Sequence, residues 1–207
     1  MFDMVGLASA MCLRYLLRSM KTRQFLAALF LTVVTPSARA LVIEGVTVPP
    51  QATASGQVLQ LNGAGLRTVV LLVFPIKAYV AAFYAPAPLR TPRAVLASPG
   101  PLRFDFTFLQ GVSNDQVAQA WKAQFDDSAT YSYANLSKDL TSFIKLFGPV
   151  KKMGTQSIQL VGTDTFVYEN GSLKGSVSGK DFQKAFLSLW FGSNPVMPSL
   201  KAALLGG

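Results

Sequence analysis

After residue 40, hydrophobic positions mostly recur at every second residue, and two blocks with a step of three or four interrupt them. Val42 to Val48 alternates and ends at Pro49-Pro50, which predicts one strand with a solvent-facing side. A loop of Ala, Ser, Gly and Gln follows, and Gln57 to Asn62 alternates again and runs into Gly63. From Gly63 to Tyr84 the residues are almost all apolar, broken only by Arg67, Lys77 and a few small or hydroxyl residues. We read this stretch as two strands joined near Leu71 to Pro75, although no Asn-Gly or Asp-Gly marks the turn. A membrane helix over Thr68 to Ala85 is disfavoured, because Pro75 and Lys77 sit at its middle and Val, Phe and Tyr favour strand.

Beyond Pro86-Ala87-Pro88, Thr91 to Ala97 predicts a short helix opened by Pro92. Leu102 to Leu109 sets Leu and Phe against Arg, Asp and Thr, the clearest amphipathic strand of the chain. Ser113-Asn114-Asp115-Gln116 has the form of a capping box, and the helix behind it puts Val117, Trp121 and Phe125 on one face. A second helix carries Leu136, Leu140, Phe143, Ile144 and Phe147 and stops at Gly148-Pro149. Strands follow at about Ser157 to Leu160, Thr163 to Tyr168 and Ser172 to Val177, the last two joined through Asn170-Gly171. A helix from about Lys180 turns Phe182, Phe186, Leu189 and Trp190 inward, and Pro198 to Leu205 forms a last short one. Six or seven strands with a helical block and a helical end predict an α+β domain, an antiparallel sheet with helices on one face.

The first forty residues read differently. Arg14, Arg18, Lys21 and Arg23 precede the short apolar run Phe25 to Val34, and Ala38-Arg39-Ala40 supplies a small-x-small cleavage pattern. This is the layout of a secretory signal, with residues 41–207 as the mature domain and a periplasmic or secreted location. The basic region is long, so Met20 is a plausible true start, and an uncleaved anchor is the alternative.

Removing that segment narrows the chemistry. The single cysteine, Cys12, leaves with it, and the chain has no histidine. The mature domain then has no thiol nucleophile, imidazole base, disulfide or ordinary zinc ligand set, which excludes Ser-His-Asp and Cys-His catalysis. No motif implies a metal or other cofactor. Fourteen basic residues face nine acidic ones, a formal +5 instead of the whole chain's +9. The cations are scattered rather than gathered with aromatics, which argues against nucleic-acid binding.

Within the apolar stretch, Arg67, Tyr79 and Lys77 are the candidate ligand-binding residues. A lone arginine among apolar strand residues needs a partner, either a ligand anion or a structural carboxylate such as Asp105 or Asp164. Strand alternation puts Lys77 and Tyr79 on one face. Trp121 and Trp190 sit at core spacing, Ser113 reads as a helix cap, and Asp126-Asp127 as a solvated turn.

Five pieces of this pattern, in order, resemble the chalcone isomerase-like family. They are Gly63-Ala64-Gly65-Leu66-Arg67, the strand Lys77 to Tyr84, Asn170-Gly171, Trp190-Phe191-Gly192 and Leu200-Lys201-Ala202-Ala203-Leu204-Leu205. The resemblance spans the whole mature chain and implies an open-faced β-sandwich, a large antiparallel sheet backed by helices. In plant chalcone isomerases the arginine of this motif stabilises a phenolate during ring closure, helped by a threonine, a tyrosine, an asparagine and a Thr or Ser. On this chain those helper positions fall at Tyr79, about Ser113, about Ala120 and near Leu189, with Ser188 adjacent. Only the arginine survives. Fatty-acid-binding members of the family use the same arginine with a tyrosine on the next strand, a pair that Arg67 and Tyr79 resemble. The resemblance therefore implies binding of a small amphipathic anion such as a fatty acid, which with the signal layout gives an exported binding protein. The alternatives are an intramolecular lyase or isomerase of the chalcone isomerase type, with Arg67 as its one catalytic residue, and a structural protein with a vestigial cleft.

Overall fold

Seven strands lie side by side in the order in which the chain makes them, every neighbouring pair antiparallel. They are β3 (Gln51–Ala54), β4 (Gln57–Leu71), β5 (Phe74–Ala85), β6 (Leu102–Phe108), β7 (Thr155–Val161), β8 (Asp164–Glu169) and β9 (Ser172–Ser178). The structure, a computed structural model, describes residues 40–71, 73–127 and 133–207. The expected signal, apart from Ala40, lies outside the described residues. Five helices belong to the described residues: α1 (Pro92–Leu96), α2 (Asn114–Asp127), α3 (Tyr133–Ile144), α4 (Lys180–Phe191) and α5 (Pro198–Leu204). The α+β class holds, and Thr68 to Ala85 is a pair of strands. No helix among the described residues is long and apolar enough to cross a membrane.

Strand alternation divides the interior in two. On β5, Ala81, Phe83 and Ala85 face the helices and join Phe104, Phe106, Trp121, Phe143, Phe186 and Trp190 in the main core. The rings meet edge-on and tilted, as with Phe104 and Trp190 at 5.0 Å and Trp121 and Phe143 at 5.1 Å. Val80, Ala82 and Tyr84 face the other way and pack under a small separate hairpin, β1 (Leu41–Ile43) and β2 (Val46–Val48).

That hairpin corrects one expectation. Val42 to Val48 is two strands, because Glu44 and Gly45 both take positive φ (51° and 78°) and turn the chain back. Ser55 and Gly56 do the same at 48° and 77°, which converts part of the expected loop into β3. Both are tight two-residue turns that need φ above zero twice. The remaining boundaries fall close to expectation. Thr91 caps α1 by accepting from the Ala94 N–H at 3.2 Å, and Asn170-Gly171 turns β8 into β9 at φ 48° and 80°.

Candidate functional site

β4 runs unbroken for 15 residues through the Gly63-Ala64-Gly65 motif. The glycines are there for packing. A methyl group on Gly63 would run into the Ala203 carbonyl, and one on Gly65 would stand 2.8 Å from the Ala203 Cβ. Helix α5 thus rests directly on the β4 backbone, so two distant motifs of the sequence are the two halves of one contact. Asn62, bulged out of register between Leu61 and Gly63, is buried beside it. Its amide donates to the carbonyls of Leu204 (2.7 Å) and Leu89 (3.0 Å) and accepts from the Leu89 N–H (2.7 Å). Nothing in the alternation singled out Asn62, because a bulge is invisible to it.

Arg67 follows two residues after Gly65 and lies directly across from Tyr79 of β5, which in turn pairs with Phe108 of β6. The Arg67 guanidinium donates to the Val196 carbonyl in the loop between α4 and α5. It forms no ion pair among the described residues. Asp105 is bonded to Arg103 at 2.8 Å, and Asp164 accepts from the Ser178 hydroxyl, so neither proposed carboxylate partner serves Arg67. Tyr79 packs edge-on against Phe106 at 5.3 Å and against Phe108 at 5.8 Å. Burial raises the pKa of the Tyr79 hydroxyl, while the nearby Arg67 charge and the Trp190 indole N–H act to lower it. Burial wins, so the phenol is neutral and able to donate at neutral pH. The Trp190 N–H faces it without completing a hydrogen bond, and is itself buried and unpartnered.

Arg67 and Tyr79 sit on the floor of a cleft of about 650 Å³ between the helix-covered face of the sheet and α2. Val69, Val70, Ile76, Ala78 and Phe108 line the sheet side, and Gln116, Ala120, Ala123 and Gln124 line the helix side. Among the described residues, Arg67 is the only charged one in the lining. A smaller recess of about 70 Å³ continues inward past Tyr79 to Trp121 and Gln156. There the Gln124 carbonyl oxygen and the Gln156 amide nitrogen are buried without partners. The volume is that of a small-molecule site, apolar apart from a few convergent polar groups.

The helix wall was missed by sequence reasoning. Val117, Trp121 and Phe125 do form the buried stripe, but the adjoining stripe of Gln116, Ala120, Ala123 and Gln124 shapes the cleft. Its signal was two alanines at a step of three, too small to fill the gap. Gln156 was legible in principle as a polar residue in phase with Ile158 and Leu160.

Lys77 is a correction. β5 slips register between the pairs Arg67–Tyr79 and Thr68–Lys77, leaving Ala78 as an extra residue. Ala78 and Tyr79 then both border the cleft, and Lys77 points to the opposite face, where it pairs with Glu44 at 2.8 Å. The bulge breaks the alternation that placed Lys77 beside Tyr79. The other matched positions are equally plain. Ser113 and Gln116 bond reciprocally as a capping box, at 3.3 and 2.9 Å. Ser188 donates to the Lys184 carbonyl of its own helix, and Leu189 is buried core. Ala120 lines the cleft with a methyl group.

A family model described as chalcone isomerase-like matches residues 40–206. Among solved structures, a fatty-acid-binding protein of Arabidopsis thaliana superposes with a TM-score of 0.64 at 17% identity, covering 81% of this chain and 96% of that one. That likeness bears on the fold. No significant match was found among curated sequences. With the sheet order, the Gly-x-Gly contact and the family match in agreement, the chain belongs to the chalcone isomerase-like family.

Proposed function

We propose that the protein binds a small amphipathic carboxylate, a fatty acid or a molecule like it, with the carboxylate on Arg67 and Tyr79 and the chain along the apolar walls. One observation carries this reading. Among the described residues, the only charge in a cleft of about 650 Å³ is a guanidinium that has a carbonyl partner and no carboxylate. A guanidinium has five N–H donors in a planar fork, so donors remain for an oxyanion, and apolar walls strengthen the contact. The Arabidopsis neighbour's fatty-acid binding supports the same class of ligand. Ring-closing catalysis is less well supported, since Ala120 offers no hydrogen bond and Ser113 and Ser188 are engaged in their helices. We also propose export, from the layout of residues 1–40.

Native mass spectrometry of the purified protein and oleate titration test the binding reading. Copurified lipid and saturable oleate binding are expected, both weakened at least about tenfold in Arg67→Ala, the loss of one charge-assisted contact. Unchanged oleate binding in that variant overturns the anchor. Absence of any lipid binding, together with cyclisation of a chalcone well above background, replaces the reading with an isomerase.

A further inference from the structure

Nine large apolar side chains are exposed among the described residues, and six of them stand at one end of the sheet. Val69, Val70, Val73 and Phe74 make the tip of the β4–β5 hairpin, with Val70, Val73 and Phe74 exposed by 71%, 79% and 66%. Met153 (51%) precedes β7, and Leu173 (56%) is the second residue of β9. Strand register fixes the placement. Tyr79 pairs with Phe108, the Met153 N–H bonds the Phe108 carbonyl, and Glu169 pairs with Ser172, so all three connections leave the sheet at the same end. The cleft opens there too, because Val69, Val70, Gln110 and Gly111 are both its lining and exposed.

The charge at this end is positive. Lys77 is neutralised by Glu44, and Lys174 by Glu169 at 3.3 Å. Lys151 and Lys152, both exposed beside Met153, have no ion pair among the described residues, and Asp115 at the start of α2 is an exposed acidic residue without one either. Arg67 adds a further cation just inside the mouth. Apolar side chains grouped with cations around the opening of an apolar cleft match an anionic lipid surface. The side chains enter the boundary of the acyl region and the lysines meet the headgroups.

We propose that this end of the sheet docks on an anionic bilayer, with the hairpin tip as the inserting element, so that the cleft opens onto the membrane. Rim docking does not depend on what the cleft holds.

Amide hydrogen exchange of the full chain, with phosphatidylcholine vesicles containing or lacking phosphatidylglycerol, reads the rim separately from residues 1–39. Anionic vesicles are expected to protect the hairpin tip and the segment around Lys151 to Met153, with protection falling as salt rises. Val73→Ser with Phe74→Ser, and separately Lys151→Glu with Lys152→Glu, are expected to weaken vesicle binding at least about tenfold. None of these four residues lines the cleft, so oleate affinity in solution stays unchanged and reports that the variants are folded. Rim amides that exchange equally with and without vesicles overturn docking, as does unchanged vesicle binding by both variants. Rim protection without vesicles that grows with protein concentration assigns the surface to a second copy, and protection that vanishes on removing residues 1–39 assigns it to the leader; either result overturns docking.

Discussion

Arg67 combines a position set by packing with a charge that has no carboxylate partner among the described residues. Its neighbours Gly63 and Gly65 bring α5 down onto β4, and the loop ahead of α5 delivers the Val196 carbonyl that orients the guanidinium. Arg67→Lys keeps the charge but loses the fork, so oleate affinity should still fall, by a factor of about ten or less, in the same titration. Tyr79→Phe removes one neutral donor and should weaken binding about threefold to tenfold, equivalent to 0.5–1.5 kcal/mol. Tyr79 also predicts a pH dependence. Burial raises its pKa in the folded state, and Tyr84, bonded to the Pro49 carbonyl at 3.1 Å, is raised as well. Below the ordinary tyrosine pKa near 10, both states hold the proton and stability is unaffected. Above it the unfolded chain ionises first, so thermal stability should fall as pH rises past about 10. Tyr84→Phe should flatten that fall in a melting series.

Most elements were legible because their signals are local: Thr91-Pro92, the Ser113–Gln116 box, Asn170-Gly171 and the Leu102 to Leu109 alternation each name their own structure. The departures share a cause. Glu44-Gly45 and Ser55-Gly56 turn without the usual Asn or Asp, and the bulges at Asn62 and Ala78 shift side-chain phase without altering composition. The site followed the same division. Arg67 and Tyr79 stand out as polar residues in an apolar run, whereas the Ala120 and Ala123 wall is defined by missing volume and Lys77 by a slip of one residue. The helix–strand contact gives an element-level prediction. Gly65→Ala places a methyl 2.8 Å from Ala203 and 2.9 Å from Leu200, and should destabilise the fold by about 1–3 kcal/mol in denaturant unfolding. Ala203→Gly in the same chain should recover part of the loss.

At the scale of the molecule, one sheet separates two interiors with different tasks. The helix side combines an aromatic core with the cleft, and the hairpin side holds a smaller apolar cluster around Tyr84. Lys77–Glu44 ties that hairpin down but is exposed on both sides, so Lys77→Met should leave oleate binding unchanged. If the leader is cleaved as its pattern implies, sequencing of the exported protein should begin near Leu41.

The long reach of the Arg67 contact carries a temporal consequence. Arg67 is fixed by a carbonyl 129 positions later, and the Asn62 buttress by one 142 positions later. The last strand of the sheet ends at Ser178, so in sequence the sheet is complete before either partner is reached. On the proposed reading, the anchor at Arg67 is complete only when the last dozen residues have docked onto β4. A chain ending at Gly192 should bind no oleate even where it retains sheet structure by circular dichroism.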